Sequence, residues 1–297
     1  MAKWITSSKF VSFSVARRVA RITLNRPEKR NALSPGLLDE LHDALIEADD
    51  RTDVHAILLE GAGQDFCAGY DLGGIYQRRQ TESLEDGSYR RRSVSVEDDA
   101  WGLEKTQKKM SVIFDLHKPV VAKIQGNCLA GGTDLALYCD LIVAAEDARI
   151  GFPAIRANGS PPNHMWVYHV GPQWAKRLLL TGDCVSGRDA AKIGLVLEAV
   201  PSTELDAHSM ALAERIAQVD SELLASHKRI VNMALEFAGA RSMMRMAAEM
   251  DARAHYSNGP AKRQFDDDMA RDGLKAALIN RDAPFGDGMV RVRDNTE

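Results

Sequence analysis

Cysteine is scarce in this chain, and its placement excludes two common sources of rigidity. The four residues, Cys67, Cys128, Cys139 and Cys184, form neither a CxxC nor a Cys/His pattern. No disulfide framework and no metal site is expected, and reduced thiols in a cytoplasmic protein are the simpler reading. Charge of one sign is lacking as well. A formal net charge of −4 gives no general pull toward nucleic acid or an anionic membrane. The most apolar stretch, Leu129 to Ala145, carries Asp134 and Asp140 and is too short to span a bilayer. Met1 to Phe13 is broken by Lys3, Thr6, Ser7, Ser8 and Lys9, so no secretory leader is expected there. Internal repeats and low-complexity tracts are absent from the pattern.

What is present has the composition of an ordinary globular protein, 45% hydrophobic and 27% charged. Its 297 residues suffice for one large α/β domain or two smaller ones. Phe10 to Phe13 and Val19 to Leu24 read as a hairpin turning at Arg17-Arg18. Ser34 and Pro35 open a helix that runs to about Asp49, with Leu38, Leu41, Leu45 and Ala48 inward and Asp39, Glu40, Asp43 and Glu47 outward. Ala56 to Glu60 and Leu141 to Ala145 are continuous apolar runs of strand length, which suit a parallel sheet covered on both faces. Tyr76 to about Asp99, with Arg78, Arg79 and Arg90 to Arg92, reads as a surface segment, either a lid or an irregular stretch, and a helix follows from about Asp99 to Leu116. Trp166 to Leu180 reads as helical despite Gly171-Pro172. Beyond Pro201 four helical segments follow, near 203–218, 221–238, 242–255 and 260–280. The division is 10–200 as the core and 201–297 as a helical region.

Two glycine-containing turns draw attention. Phe66-Cys67-Ala68-Gly69-Tyr70-Asp71-Leu72 follows the Ala56 strand. Gly126 to Asp134 follows the strand Val120 to Gln125. Both lie beyond the carboxyl ends of strands, where open α/β sheets bind ligands. Backbone N–H groups left free at such turns can bind an oxyanion, and Asp134 stands one turn further in, able to move a proton.

These turns, together with Asn25-Arg26-Pro27-Glu28-Lys29-Arg30-Asn31-Ala32-Leu33, Cys139-Asp140-Leu141, Leu178 to Gly182 and Ala190-Ala191 before Gly194-Leu195-Val196, occur in this order in the crotonase family, the enoyl-CoA hydratases and isomerases of fatty acid metabolism. The resemblance spans roughly residues 10 to 285. It implies a ββα spiral of two roughly perpendicular sheets, with a helical C-terminal region that packs trimers, often paired into hexamers. It also implies an acyl-CoA substrate, with coenzyme A as part of the substrate and no permanently bound cofactor. The thioester oxygen would accept hydrogen bonds from the backbone N–H groups of Tyr70 and Gly131, with the Tyr70 side chain less constrained than its amide. Asp134 would be the acid or base. Lys29 and Arg30, with the backbone of Ala32 and Ala68, resemble the site for the CoA adenine and phosphates. Arg281 and Phe285 resemble a contribution from a neighbouring subunit.

The sequence departs from the family at one telling place. Hydratases flank the attacking water with two glutamates, one at the position of Asp134 and the other at that of Ala154. Alanine has no proton to exchange, so this pair cannot be assembled from the same positions. Three readings stay open: an enolate-forming lyase or isomerase, a C–C or thioester hydrolase, and a catalytically idle CoA-binding or assembly subunit. The loop after Ala154 offers Arg156, Asn158, Ser160, Asn163 and His164, none with a transferable role. His164 and His169 read as structural, and Cys67 and Cys128 as small packing residues. Arg90 to Arg92 read as a solvated face, or alternatively as a partner for CoA phosphates.

Overall fold

The computed structural model describes residues 8–81 and 94–293. Strands β1 (Val11–Ala16) and β2 (Val19–Leu24) form the expected antiparallel hairpin. Arg17 and Arg18 both take left-handed φ, the conformation that matches a tight turn to the twist of its strands. A short 3-10 turn at Pro27–Lys29 leads into α1 (Pro35–Asp50), where Ser34 Oγ accepts the Leu37 N–H. Its inner stripe is buried as patterned, but Glu47 is buried too and lies 3.9 Å from Arg51, one turn on. That pairing lets a carboxylate occupy a position the amphipathic pattern assigns to solvent.

Next come β3 (Ala56–Gly61), buried along its whole length, α2 (Leu72–Thr81) and α3 (Val96–Asp115). The helix α3 begins earlier than the expected Asp99 because Ser95 caps it, its Oγ accepting the Asp98 N–H at 3.0 Å. Residues 76–81 are helical rather than irregular. Arg90 to Arg92 lie outside the described residues. The chain continues through β4 (Val120–Ile124), β5 (Asn127–Leu129), α4 (Gly131–Ala136), β6 (Leu141–Ala145), β7 (Arg149–Gly151) and α5 (Trp166–Leu179). Gly171 breaks α5 with a φ of 68°. Then follow β8 (Cys184–Ser186), α6 (Gly187–Lys192), β9 (Glu198–Val200), α7 (Leu205–Ile216), α8 (Ser221–Phe237), α9 (Ala240–His255), α10 (Pro260–Asp282) and β10 (Met289–Val290).

Among the described residues the strands form two sheets. The larger runs β1-β2-β3-β4-β6-β9 and is parallel everywhere except in the hairpin. The smaller, β10-β8-β7-β5, was not anticipated strand by strand. Its members are two or three residues long, too short to show a period. One continuous apolar core joins the sheets, α1 and α3 to α7. The helical region attaches more lightly: α8 buries only Lys228, and α9 lies along α3 through Ala248 and Ala252 against Ala100 and Leu103. The four cysteines are buried and unpaired. No helix among the described residues is long and apolar enough to cross a membrane.

Candidate active site

Both glycine turns sit beyond the ends of β3 and β4, and they touch. Cys67 and Cys128 form a parallel bridge, the Cys67 N–H donating to Asn127 O at 3.0 Å and the Leu129 N–H to Cys67 O at 3.0 Å. At Gly69 a β-carbon would lie 2.9 Å from Leu129 O, so only glycine lets the turns approach this closely. A β-carbon at Gly132 would lie 2.4 Å from Cys67 O. Ala130, with φ 49° and ψ −117°, holds a conformation ordinarily left to glycine, a strain of the kind that clusters at functional sites. It enters α4 and presents the Gly131 amide.

The cationic loop closes one side of this arrangement. Buried Asn31 donates through Nδ2 to Ala62 O and Asp65 O, and its Oδ1 accepts the Arg26 N–H. The Ala68 N–H donates to Arg30 O, and the Leu33 N–H to Gly69 O. Lys29, Arg30, Ala32, Ala68 and Tyr70 are thereby brought into one neighbourhood. The Tyr70 and Gly131 amides make no hydrogen bond within the chain among the described residues, which leaves both available to an acceptor.

Asp134 is fully buried on α4. Its Oδ2 accepts the Tyr70 hydroxyl at 2.9 Å, and Gln107 Nε2 donates to the same tyrosine oxygen at 2.9 Å. Tyr138 extends the series with a long bond, 3.5 Å, to Gln107 Oε1. Every donor in this series points toward Asp134. Asn163 Nδ2 donates to the Asp134 carbonyl at 2.9 Å and fixes the backbone. The second carboxyl oxygen, Oδ1, is buried with no hydrogen-bond partner. Burial raises the Asp134 pKa well above the usual carboxylate range, the Tyr70 bond opposes that rise, and the negative charge of Asp251 adds to it. The result is a carboxyl group held by one oxygen, with the other buried and unbonded, and with its protonated form favoured.

Sequence reasoning assigned Tyr70 only an amide; its hydroxyl is the direct partner of Asp134. Gln107 gave no sequence signal, since its distance from both partners in the chain hides the contact. Ala154 lies in a 3-10 turn, Pro153–Arg156, and packs against the core. The remaining candidates have partners other than the Asp134 carboxyl group. Arg281 pairs with Asp282 at 2.9 Å and donates to Asn158 Oδ1 at 2.9 Å. The Phe285 ring, 43% exposed, stacks on the buried Arg156 guanidinium at 4.0 Å. His169 stands against Leu137 O at 3.0 Å, its proton affinity lowered by burial.

The sequence profile described as enoyl-CoA hydratase/isomerase matches residues 15–276. The chain belongs to that family. Among relatives of this family, the mitochondrial enoyl-CoA hydratase of Pongo abelii is 31% identical over 272 residues, covering 91% of this chain and 84% of that protein. The crystal structure of an enoyl-CoA hydratase from Mycobacterium smegmatis superposes with a TM-score of 0.85 at 36% identity, covering 95% of this chain and 96% of that one. An enoyl-CoA hydratase/isomerase from Xanthobacter autotrophicus Py2 gives 0.85 at 34% identity, covering 94% and 99%. An α/β crotonase-like fold with a helical C-terminal region is thus shared with solved members of the enoyl-CoA hydratase/isomerase family.

Proposed function

We propose that the chain acts on an acyl-CoA thioester through an enolate, with the thioester oxygen held by the Tyr70 and Gly131 amides. The buried Asp134 Oδ1 carries this reading, because it is the carboxyl oxygen that no hydrogen bond occupies and so can exchange a proton. As electrons move onto the thioester oxygen, two preorganised N–H groups stabilise the charge, each worth about 3 kcal/mol by comparison with measured oxyanion holes. Asp134 gives a proton to, or takes one from, the carbon next to the carbonyl. The Tyr70 hydroxyl, backed by Gln107, steadies the carboxylate that remains.

In this reading the CoA moiety lies along Lys29, Arg30, Ala32 and Ala68. Phe285 of a neighbouring subunit offers an exposed ring face to the adenine, and Arg281 contributes only if it exchanges its bond with Asp282. Assembly into trimers or hexamers belongs to the same reading. Water addition by two glutamates in the family's positions is not available, since Ala154 stands at one of them. The reading is tested with a panel of acyl-CoAs, following deuterium uptake at the α-carbon in D2O and net turnover, for wild type and Asp134→Ala. Loss of α-exchange by a factor of about 100 or more is expected in the variant. Equal rates in the two proteins would remove Asp134 from the mechanism.

A further inference from the structure

Ala154 leaves the loop that follows it without an acid of its own, and a carboxylate reaches that loop from α9. Ala154 O accepts the N–H groups of Ala157, Asn158 and Gly159 at 3.2, 2.7 and 3.3 Å, which winds the loop into a compact turn. The next residue, Ser160, donates its N–H to Asp251 Oδ1 at 2.7 Å. Three residues later Asn163 holds the Asp134 carbonyl. One short loop therefore meets Asp251 at one end and Asp134 at the other.

Asp251 is itself held. His255, one turn along α9, places Nε2 3.6 Å from Asp251 Oδ1 and Nδ1 2.6 Å from Asp99 Oδ2. Asp251 and Asp99 are each only 4% exposed. Asp99, Leu103 and Gln107 recur at four-residue spacing on α3, so the stripe that ends in the Tyr70 partner begins in the His255 partner. A β-carbon at Gly159 would lie 2.5 Å from Asp251 Oδ1 and 3.1 Å from His255 Nε2, so the loop sits directly on this pair. The negative charge of Asp251 also reaches both Asp134 and Tyr70, raising the affinity of each for its proton. The alanine seam already joins α3 and α9, and the Ser160 bond carries Asp251 beyond that seam to the loop.

We propose that Asp251, oriented by His255 and Asp99, is the second proton-handling carboxylate of the site, taking the part that Ala154 cannot. The proposal rests on the acyl-CoA reading above. The substrate of this step is an α,β-unsaturated thioester. The Asp251 carboxylate takes a proton from water while the water oxygen bonds to the β-carbon. The π pair moves through the α-carbon onto the thioester oxygen, giving an enolate at the Tyr70 and Gly131 amides. That pair returns to the α-carbon as it takes the proton from Asp134 Oδ1. One water has been added, Asp251 has gained a proton and Asp134 has lost one, and exchange with solvent restores both.

The test compares wild type, Asp251→Asn and His255→Gln in two assays: hydration of crotonyl-CoA, and α-deuterium uptake by butyryl-CoA, which needs only the amides and Asp134. The expected result is a fall of about 100-fold in the ratio of hydration to α-exchange in Asp251→Asn, expressed in kcat. His255→Gln lowers the same ratio by a smaller factor. An unchanged ratio in Asp251→Asn overturns the proposal, whether both rates stay or both fall together. Wild type that exchanges α-protons but hydrates nothing overturns it and leaves the enolate reading standing. Wild type that does neither removes both. Asparagine keeps an acceptor for the Ser160 N–H; if circular dichroism nevertheless shows an unfolded variant, His255→Gln decides, and an unaltered ratio there overturns the proposal.

Discussion

The sheet core and the C-terminal helices are built on different terms. β3 and most of β4 are buried, and Leu37, Leu41, Leu45, Ile57, Leu58 and Leu59 have no exposed surface, so this region is stabilised by apolar burial that it completes itself. On α8 the relation is reversed. Lys228 is its only buried residue, while Leu223, Ile230, Val231, Met233 and Phe237 are exposed, Phe237 by 86%. A helix with so much uncovered apolar surface is the expected form of one that finishes its packing against another chain. The core carries the Tyr70 and Gly131 amides proposed as oxyanion donors, together with Asp134, whereas the C-terminal region carries Asp251, Arg281 and Phe285. On the proposed reading, charge would be bound in a self-sufficient frame, with the accessory groups mounted on a layer that the frame holds lightly.

The largest effect is expected at Asp134. Asp134→Asn should lower α-exchange by about 10²- to 10⁴-fold, measured in D2O, and yet leave the core more stable. Burial raises the carboxyl pKa in the folded state, so the native protein retains a proton that the unfolded chain gives up above about pH 4. Wild-type stability therefore declines as pH rises through that window, and the asparagine variant is spared the decline. Thermal melting at pH 7 should favour the variant, with the gap closing at pH 3; a lower melting point at pH 7 would contradict the assigned shift.

Lys228→Met tests how lightly the helices are held. Lys228 Nζ donates to Ile113 O at 2.7 Å, Lys118 O at 3.1 Å and Asp140 Oδ2 at 2.8 Å, so its loss strands a mostly buried carboxylate. A loss of about 3 to 5 kcal/mol is expected in urea titration. Gly132→Ala strikes the core, where the added carbon meets Cys67 O; about 1 to 3 kcal/mol should be lost, along with the spacing of the two amides. Phe237→Ser should change unfolding of the single chain by less than about 0.5 kcal/mol. Its effect belongs to assembly: sedimentation velocity should show a smaller species than wild type, and an identical sedimentation coefficient would detach Phe237 from any interface.

Much of the larger sheet was legible because β3 and β6 are apolar runs of strand length, and because Ser34 caps its helix by local chemistry, whereas the Ser95 cap went unread. The two glycine turns and Asp134 were legible from the residues themselves, and the resemblance added the Tyr70 and Gly131 amides as donors. The smaller sheet escaped because segments such as Met289–Val290 gain meaning only from the strand beside them. The Tyr70 hydroxyl escaped for a related reason: its partner lies 64 positions away, and nothing near Tyr70 in sequence announces an acid. Asp251 was still more hidden, an acidic residue on a helix rich in methionine that reads as packing surface. Contacts of this kind are products of tertiary folding, invisible to periodicity.

That separation along the chain has a kinetic side. Tyr70 and Asp134 meet only after β3 and β4 have paired and their crossover has closed, which places the site among the late, long-range contacts of folding. A ligand that binds the finished amides recognises the native state and nothing before it. Saturating acyl-CoA should therefore slow unfolding while leaving the folding rate untouched, so that occupancy sets the protein's lifetime rather than its speed of formation.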